Sequence, residues 1–199
     1  MLFRSGGGDG ANGNDAAYVL ALGPTGDIFV AGGTASLSFN GNHANTVGTG
    51  LQGGIDGFVA QISNNGSTLI RSAYIGTTGT DQVYGIQFDR KGFPYIMGQT
   101  TGIWPVSPAG IYSQANGKQF IAKLQPDLSA YIYSTVFGSG AVRPNISPTA
   151  FLVDRCENVY VSGWGSGMGQ EPGPSYPNAG TTGLIVTNDA LQKSTDGRF

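Results

Sequence analysis

Charge is scarce in this sequence. Of its 199 residues only ten are Lys or Arg and twelve Asp or Glu, together 11% where ~25% is usual. With a formal charge of -2 and a pI near 5.1, there is no basic surface to hold a phosphate backbone, so nucleic acid is excluded as an expected partner. Cysteine occurs once, as Cys156, and a single thiol makes no intrachain disulfide. Histidine also occurs once, as His43 in "FNGNHANTVG", with no Cys, Asp or Glu at metal-ligand spacing. No stretch approaches the ~20 apolar residues of a membrane-spanning helix. The opening "MLFRSGGGDGANG" lacks the apolar core of a signal peptide, so if the protein is secreted its export signal lies outside these residues. Helical spacing is sustained nowhere along the chain.

What the chain has in excess is glycine, 34 residues against a usual ~7%. Hydrophobic residues at 39% and aromatics at 11% still suffice for a packed core, which argues against disorder. The glycines mark a repeat. "GDIFVAGGT" (26–34), "GFPYIMGQT" (92–100) and "ENVYVSGWG" (157–165) each alternate apolar and small residues and then reach the matched Gly32, Gly98 and Gly163. A second element, "DGFVAQISNNGSTLIRSAYIG" (56–76), returns as "GKQFIAKLQPDLSAYIYSTVFG" (117–138). "LFRS" at 2–5 matches Leu69-Ile70-Arg71-Ser72, and "DGRF" at 196–199 opens a further copy.

Alternation over runs of strand length, bounded by Gly, Asn, Asp and Pro, predicts four half-buried strands per repeat. In the second repeat they fall at about 82–88, 94–99, 119–124 and 130–137. First and second strands are joined by "GPTG", "DRKG" and "DRCE", third and fourth by "NNG" or "PDL", all of hairpin-turn chemistry. The second-to-third connections are long. Four antiparallel strands per repeat of this size describe a β-propeller blade. The expected fold is therefore all-β, an array of about three four-stranded blades that is a piece of a larger propeller or an open array completed by neighbours. Residues 1–14 would close a preceding blade, 15–76 and 77–138 form two blades, and 139–199 an incomplete third.

"GTDQVYGIQFDRKGFPYIMGQTTGIWPV" with "QFIAKLQPDLSAYIYSTVFG" resembles the seven-bladed β-propeller (SBBP) repeat of bacterial surface proteins, and "SPTAFLVDRCENVYVSGWG" its variant in large secreted proteins of gliding Bacteroidetes-type bacteria. The resemblance implies a non-catalytic scaffold or binding module at the cell surface, secreted or associated with the outer membrane. Adhesive or gliding-associated roles and type IX export go with it. Its partners would be a protein or glycan at a cell surface and further blades of the same or a neighbouring chain, without membrane insertion. The third copy departs from the pattern, with Ile146 where the others have Asp15 and Asp81. A different connector, "GSGAVRPNIS", is expected there.

Repetition is an internal control, because a residue type that recurs at one station is framework. Cys156 lies in the turn also formed by "DRKG" and "GPTG", without the activating partner a reactive thiolate needs. Trp104 corresponds to Tyr176 and roughly to Phe39, as an anchor for the loop would; aromatic faces also stack on sugars. Trp164 replaces Gly33 and Gln99 and so belongs to its own blade. Strand direction puts all long loops on one face, where function is usually carried; ligand candidates there are Trp164, Arg143, Trp104, Tyr112, Tyr176 and His43, with Cys156 on the opposite, turn face. Asp9, Asn12, Asn14 and Asp15 place four oxygen side chains in one loop, a weak calcium candidate. "GDGANG" (8–13) matches G-x-G-x-x-G but leads into a strand rather than a helix, and "GWGSG" is not a nucleophile elbow. No catalytic residue and no cofactor is expected. The competing class is a polysaccharide-acting enzyme, which would need two carboxylates converging on one pocket.

Overall fold

The computed structural model describes residues 14–37, 41–165 and 180–194. They form ten strands in three antiparallel sheets. The first sheet is β1 (Asp15–Leu22), β2 (Ile28–Thr34), β3 (Asp56–Ile62) and β4 (Leu69–Ile75). The second is β5 (Asp81–Phe88), β6 (Pro94–Thr100), β7 (Gln119–Leu124) and β8 (Tyr131–Phe137). Each runs in chain order, and the third sheet holds β9 (Ser147–Val153) and β10 (Val159–Trp164). The array is a partial set of propeller-like blades. The copies read at 2–5 and 196–199 lie outside the described residues.

The matched glycines have one physical cause. In every blade the first strand carries a bulge, at Tyr18, Tyr84 and Thr149, where the register with the second strand slips by one residue. A bulge pushes backbone out of line. It drives the carbonyls of Ala16, Gln82 and Ser147 against Gly32, Gly98 and Gly163, so that a Cβ there would sit 1.8, 2.1 and 2.4 Å from the oxygen.

The first turn is also one structure three times. Gly23, Asp89 and Asp154 each accept a bond from the residue three places on and donate to the carbonyl of the residue four places on. That third-on residue has positive φ: Gly26 at 82°, Gly92 at 85° and, in the third blade, Glu157 at 67°. Glycine takes this conformation freely, whereas a side chain is strained in it. Glu157 therefore needs a compensating contact.

Blades pack face to face. The side of β5 bearing Ile86 and Phe88 meets the first blade in a core with Phe29, Val59, Ala73 and Ile75, each fully buried large apolar side chain stabilising by ~1.5–3 kcal/mol. Phe29 and Phe88 meet edge to face at 4.8 Å. The opposite side of the second blade packs on the third, where Phe151 lies against Gly85 so closely that a Cβ on the glycine would stand 2.8 Å away.

Candidate functional site

Chain direction sorts the connections by face. The β1–β2, β3–β4, β5–β6, β7–β8 and β9–β10 turns leave one end of the sheets; the β2–β3 and β6–β7 loops and the blade connectors leave the other. Cys156 is exposed at the turn end of β10, and Trp164 closes that strand at the loop end.

Carboxylates at the loop end clamp backbone and hydroxyl groups. The first residue of β1, Asp15, receives the hydroxyls of Thr34 at 2.5 Å and Ser36 at 3.0 Å. Asp81, the first of β5, accepts the Thr77 amide at 2.7 Å and its hydroxyl at 2.8 Å, and is paired across the strands with Thr100 as Asp15 is with Thr34. Asp56 accepts the amides of Gln52 at 2.7 Å and Gly53 at 3.1 Å. Asp56 and Asp81 are fully buried. Burial raises both carboxyls above their ordinary range, and the negative charge of Asp81 adds to the rise at Asp56.

The third blade lacks this clamp, as its Ile146 foretold, and Asn145 replaces it. Its Oδ1 accepts the Ser139 amide at 2.6 Å, and its Nδ2 donates to Ser139 Oγ at 2.9 Å and the Gly180 carbonyl at 2.7 Å. The Ile146 carbonyl takes bonds from Gln99 at 2.7 Å and Gln119 at 2.9 Å. A connector of different sequence is thus held at the same point by an amide.

Strands and turns repeat along the chain, and part of one repeat matches a known family. Residues 70–103 match the family model of the SBBP β-propeller repeat. The match runs from β4 through the connector and β5–β6 into the following loop. No curated protein matches the chain. Asp15 and Asp81 stand at equivalent stations, and both hold groups of their own blade and connector.

The first two long loops do not gather over the loop end as the sequence implied; the third lies mostly outside the described residues. They fold back along the outer edge of their own blades. Residues 35–55 bond to β4, Ser72 N to Asn42 O at 3.1 Å and Tyr74 N to Gly48 O at 3.0 Å, and the 101–118 loop pairs Ser107 with Ser134 and Gln114 with Val136 on β8. An outer strand otherwise presents unpaired backbone, and covering it prevents edge-to-edge association.

This placement corrects several ligand candidates. His43 lies against β4, its Nδ1 2.9 Å from the Ser72 carbonyl and its ring tilted over Tyr74 at 5.1 Å. Trp104 presents no face to a ligand: it is 5% exposed, stacked on Phe120 at 3.7 Å and bonded through Nε1 to Ser134 Oγ at 2.6 Å. It anchors the loop. Tyr112 is exposed on the same loop, where its carbonyl accepts the Thr135 hydroxyl on β8. Arg143 is exposed on the connector between the second and third blades. Trp164 is placed by its backbone, paired with Ser147; its side chain and Tyr176 lie outside the described residues. Of the calcium candidates, Asn14 is exposed and accepts the Ala35 amide through its backbone at 3.0 Å, Asp15 is a clamp, and Asp9 and Asn12 lie outside the described residues.

One cluster escaped the sequence reading altogether. At the turn end, between the second and third blades, the Lys123 ammonium lies 2.8 Å from Asp89 and 2.7 Å from Glu157 and 4.9 Å over the rings of Phe93 and Tyr95. Tyr95 OH donates to Glu157 at 3.0 Å, and Lys91 adds a more exposed pair at 3.2 Å. Burial works against the Lys123 charge, yet the bonds to Asp89, Glu157 and Tyr95 outweigh it and hold the ammonium above the usual lysine range. Bonds from Lys123, Lys91 and Tyr95 pull the Glu157 carboxyl down to about 2. The strained φ of Glu157 is compensated here. The signal was available: Lys123 stands at the station of Gln61 and Tyr95 at that of Phe29.

Proposed function

We propose that this chain is a non-catalytic scaffold and binding module of a secreted or cell-surface protein, and that it holds a protein or glycan in an adhesive or gliding-associated role. The observation that carries the reading is the state of the buried carboxylates. Asp56, Asp81 and Asp89 are each bonded to amides of their own loops and turns, a framework use that takes these three out of any pair that would hydrolyse a glycosidic bond. What the outer edge of the second blade and the connector beside it offer to a ligand is side-chain surface: Ile103 and Tyr112 from the 101–118 loop, exposed by 91% and 63%, and Val142, exposed by 85%, beside Arg143 on the connector. Exposed apolar groups beside a cation suit attachment better than chemistry.

The test is retention of the purified chain on a panel of bacterial surface polysaccharides and outer-membrane proteins, with release of reducing ends measured in parallel. Retention without release is expected, and the double variant Tyr112→Ala/Arg143→Ala loses at least several-fold of it at an unchanged melting temperature. Release of reducing ends that disappears in Asp81→Asn would replace this reading with a polysaccharide-acting enzyme.

A further inference from the structure

The Lys123 cluster at the turn end holds more groups than charge balance requires. Lys123 and Asp89 already neutralise each other, with side chains 9% and 1% exposed. Glu157 nevertheless adds a second carboxylate 2.7 Å from the same ammonium, from a positive φ that glycine takes in the other two blades. The two oxygens of Asp89 are also unlike. Oδ1 accepts the amides of Lys91 at 2.8 Å and Phe93 at 3.0 Å. Oδ2 has no hydrogen-bond partner in regular geometry and faces Lys123 Nζ at 2.8 Å. The matching turn of the third blade is the contrast. Asp154 Oδ1 accepts the Cys156 and Asn158 amides in the same way, but its Oδ2 is bonded to Asn158 Nδ2 at 3.0 Å and to Tyr160 OH at 3.1 Å.

We propose that this cluster is a site of covalent modification, in which Lys123 and Asp89 condense to an intramolecular amide with Glu157 as the proton carrier. The step balances within the cluster. Nζ bonds to the Asp89 Cγ, the Cγ–Oδ2 bond breaks, and Oδ2 leaves as water with two of the three ammonium protons. One proton crosses directly from Nζ to Oδ2, which turns the ammonium into a nucleophilic amine and the carboxylate into an acid without changing the net charge. The second passes from Nζ to Glu157 Oε2 and on to the leaving oxygen, so Glu157 returns to a carboxylate. Negative charge that builds on Oδ1 as the new bond forms falls on the Lys91 and Phe93 amides, which are already in place. Contact between the reactants makes the step unimolecular, and the rings of Phe93 and Tyr95, 4.9 Å from Nζ, cover it with apolar surface. The product replaces two buried charges by a neutral amide, which removes their desolvation cost. The chain folds with the ion pair, which governs the seam until the bond forms; the bond then ties the β5–β6 turn to β7.

Mass spectrometry of the purified 199-residue chain, freshly folded and after prolonged incubation at neutral pH, tests this. A fraction that grows with time is expected to be lighter by one water. In its tryptic digest the peptide ending at Arg90 is joined to the one that runs from Gln119 through an uncleaved Lys123. Lys123→Arg keeps the charge without the amine and should hold its full mass. Glu157→Gln leaves the Lys123–Asp89 pair in place and should condense roughly a hundred-fold more slowly, the usual worth of a positioned proton carrier. Circular dichroism checks that both variants keep the β-sheet fold; should either unfold, the wild type decides alone, since the joined peptides are either found or absent. A wild type that keeps its full mass, a water lost within a single peptide instead of between these two, or a link that forms as fast in Glu157→Gln overturns the proposal. The outcome is independent of ligand retention.

Discussion

Between the first and second blades, Phe29 packs on Phe88 and the Gly92 turn nestles against Pro24, so closely that a Cβ on the glycine would stand 2.7 Å from the proline ring. Between the second and third blades the same stations hold Tyr95 in place of Phe29, Lys123 in place of Gln61 and Glu157 in place of Gly92, joined by Asp89. One seam is apolar and closed by glycine; the other is an ion cluster closed by a residue in a strained conformation. The backbone is the same in both. What the difference teaches is that the bulge, the tight turn and the strand register set the blade geometry, while the chemistry that fills the seam is free to change.

The largest effect should come from breaking the charged seam at its centre. Lys123 and Asp89 have side chains only 9% and 1% exposed, and removing one partner of a buried ion pair typically costs about 3–5 kcal/mol because the other charge is left without compensation. Lys123→Ala is expected to lower stability by that amount in urea unfolding. Gln61→Ala, at the same station of the apolar seam, removes one neutral bond to Asp27 and should cost about 1 kcal/mol. Replacing Lys123, Asp89 and Glu157 together by Gln, Gly and Gly, the residues of the first blade, should recover much of the loss. Equal costs for Lys123→Ala and Gln61→Ala would show that the two seams do not differ in kind.

A smaller loss separates what the seams share from what they do not. Gly32 and Gly33 are adjacent on β2, but an added Cβ meets the Ala16 carbonyl oxygen at 1.8 Å in the first case and only the flexible Gln82 side chain at 3.2 Å in the second. Overpacking against backbone costs about 1–3 kcal/mol, so Gly32→Ala should fall at the upper end of that range. Gly33→Ala should stay within about 0.5 kcal/mol. The melting temperatures of the two variants decide it, and similar values would remove the bulge as the cause of the repeated glycine.

That glycine was the most readable part of the sequence, and the reason is physical: a backbone clash admits one residue type, so it recurs at Gly32, Gly98 and Gly163. The strand meander was readable from the alternation of apolar with small or polar residues between turn signals, and the 119–124 strand was placed to the residue, although β3, β6 and β7 are buried on both faces. The path of the long loops was not. They are tied to β4 and β8 largely through main-chain groups, which leave no signature in residue type. For this reason His43 was expected on an open surface and is found packed against its own blade, whereas Trp104 holds its loop as the anchor its repeated station suggested. The Lys123 cluster was missed for another reason: its departures from the repeat at 95 and 123 could be seen, but not that they meet. Its members come from three distant turns and strands, at 89, 123 and 157, and only the paired register shows that they meet.

Acid should open one seam and spare the other. The Glu157 carboxyl titrates at about 2 against an ordinary 4.5, and Asp89 is also lowered, because Lys123 and the amides of Phe93 and Lys91 outweigh its burial. A carboxyl depressed in the folded state lends stability that is complete above its unfolded value and lost as pH falls toward the folded one. For this seam the loss runs from about pH 4.5 down to about 2. Asp56 and Asp81 have the opposite sign: raised by burial, they take up protons more readily folded than unfolded and favour folding as pH falls. Amide exchange in β9 and β10 should therefore accelerate across that window while β1–β3 hold their protection, and Glu157→Gln should abolish the difference. Uniform acceleration across all three sheets would mean that the seams respond as one.

The smallest effect isolates the strained turn. At φ 67° Glu157 occupies a conformation that costs any residue with a Cβ, and that glycine adopts without strain. Glu157→Ala and Glu157→Gly both remove the bonds to Lys123, Lys91 and Tyr95, so both should be less stable than the wild type. They differ only in the backbone. Alanine keeps the strain after losing the contacts that offset it, whereas glycine restores the residue that the other two blades carry as Gly26 and Gly92. Glu157→Gly is therefore expected to unfold at higher urea than Glu157→Ala, by a fraction of the Lys123→Ala effect. Coincident midpoints would mean that the third turn stores no strain and that Glu157 is held there by its side chain alone.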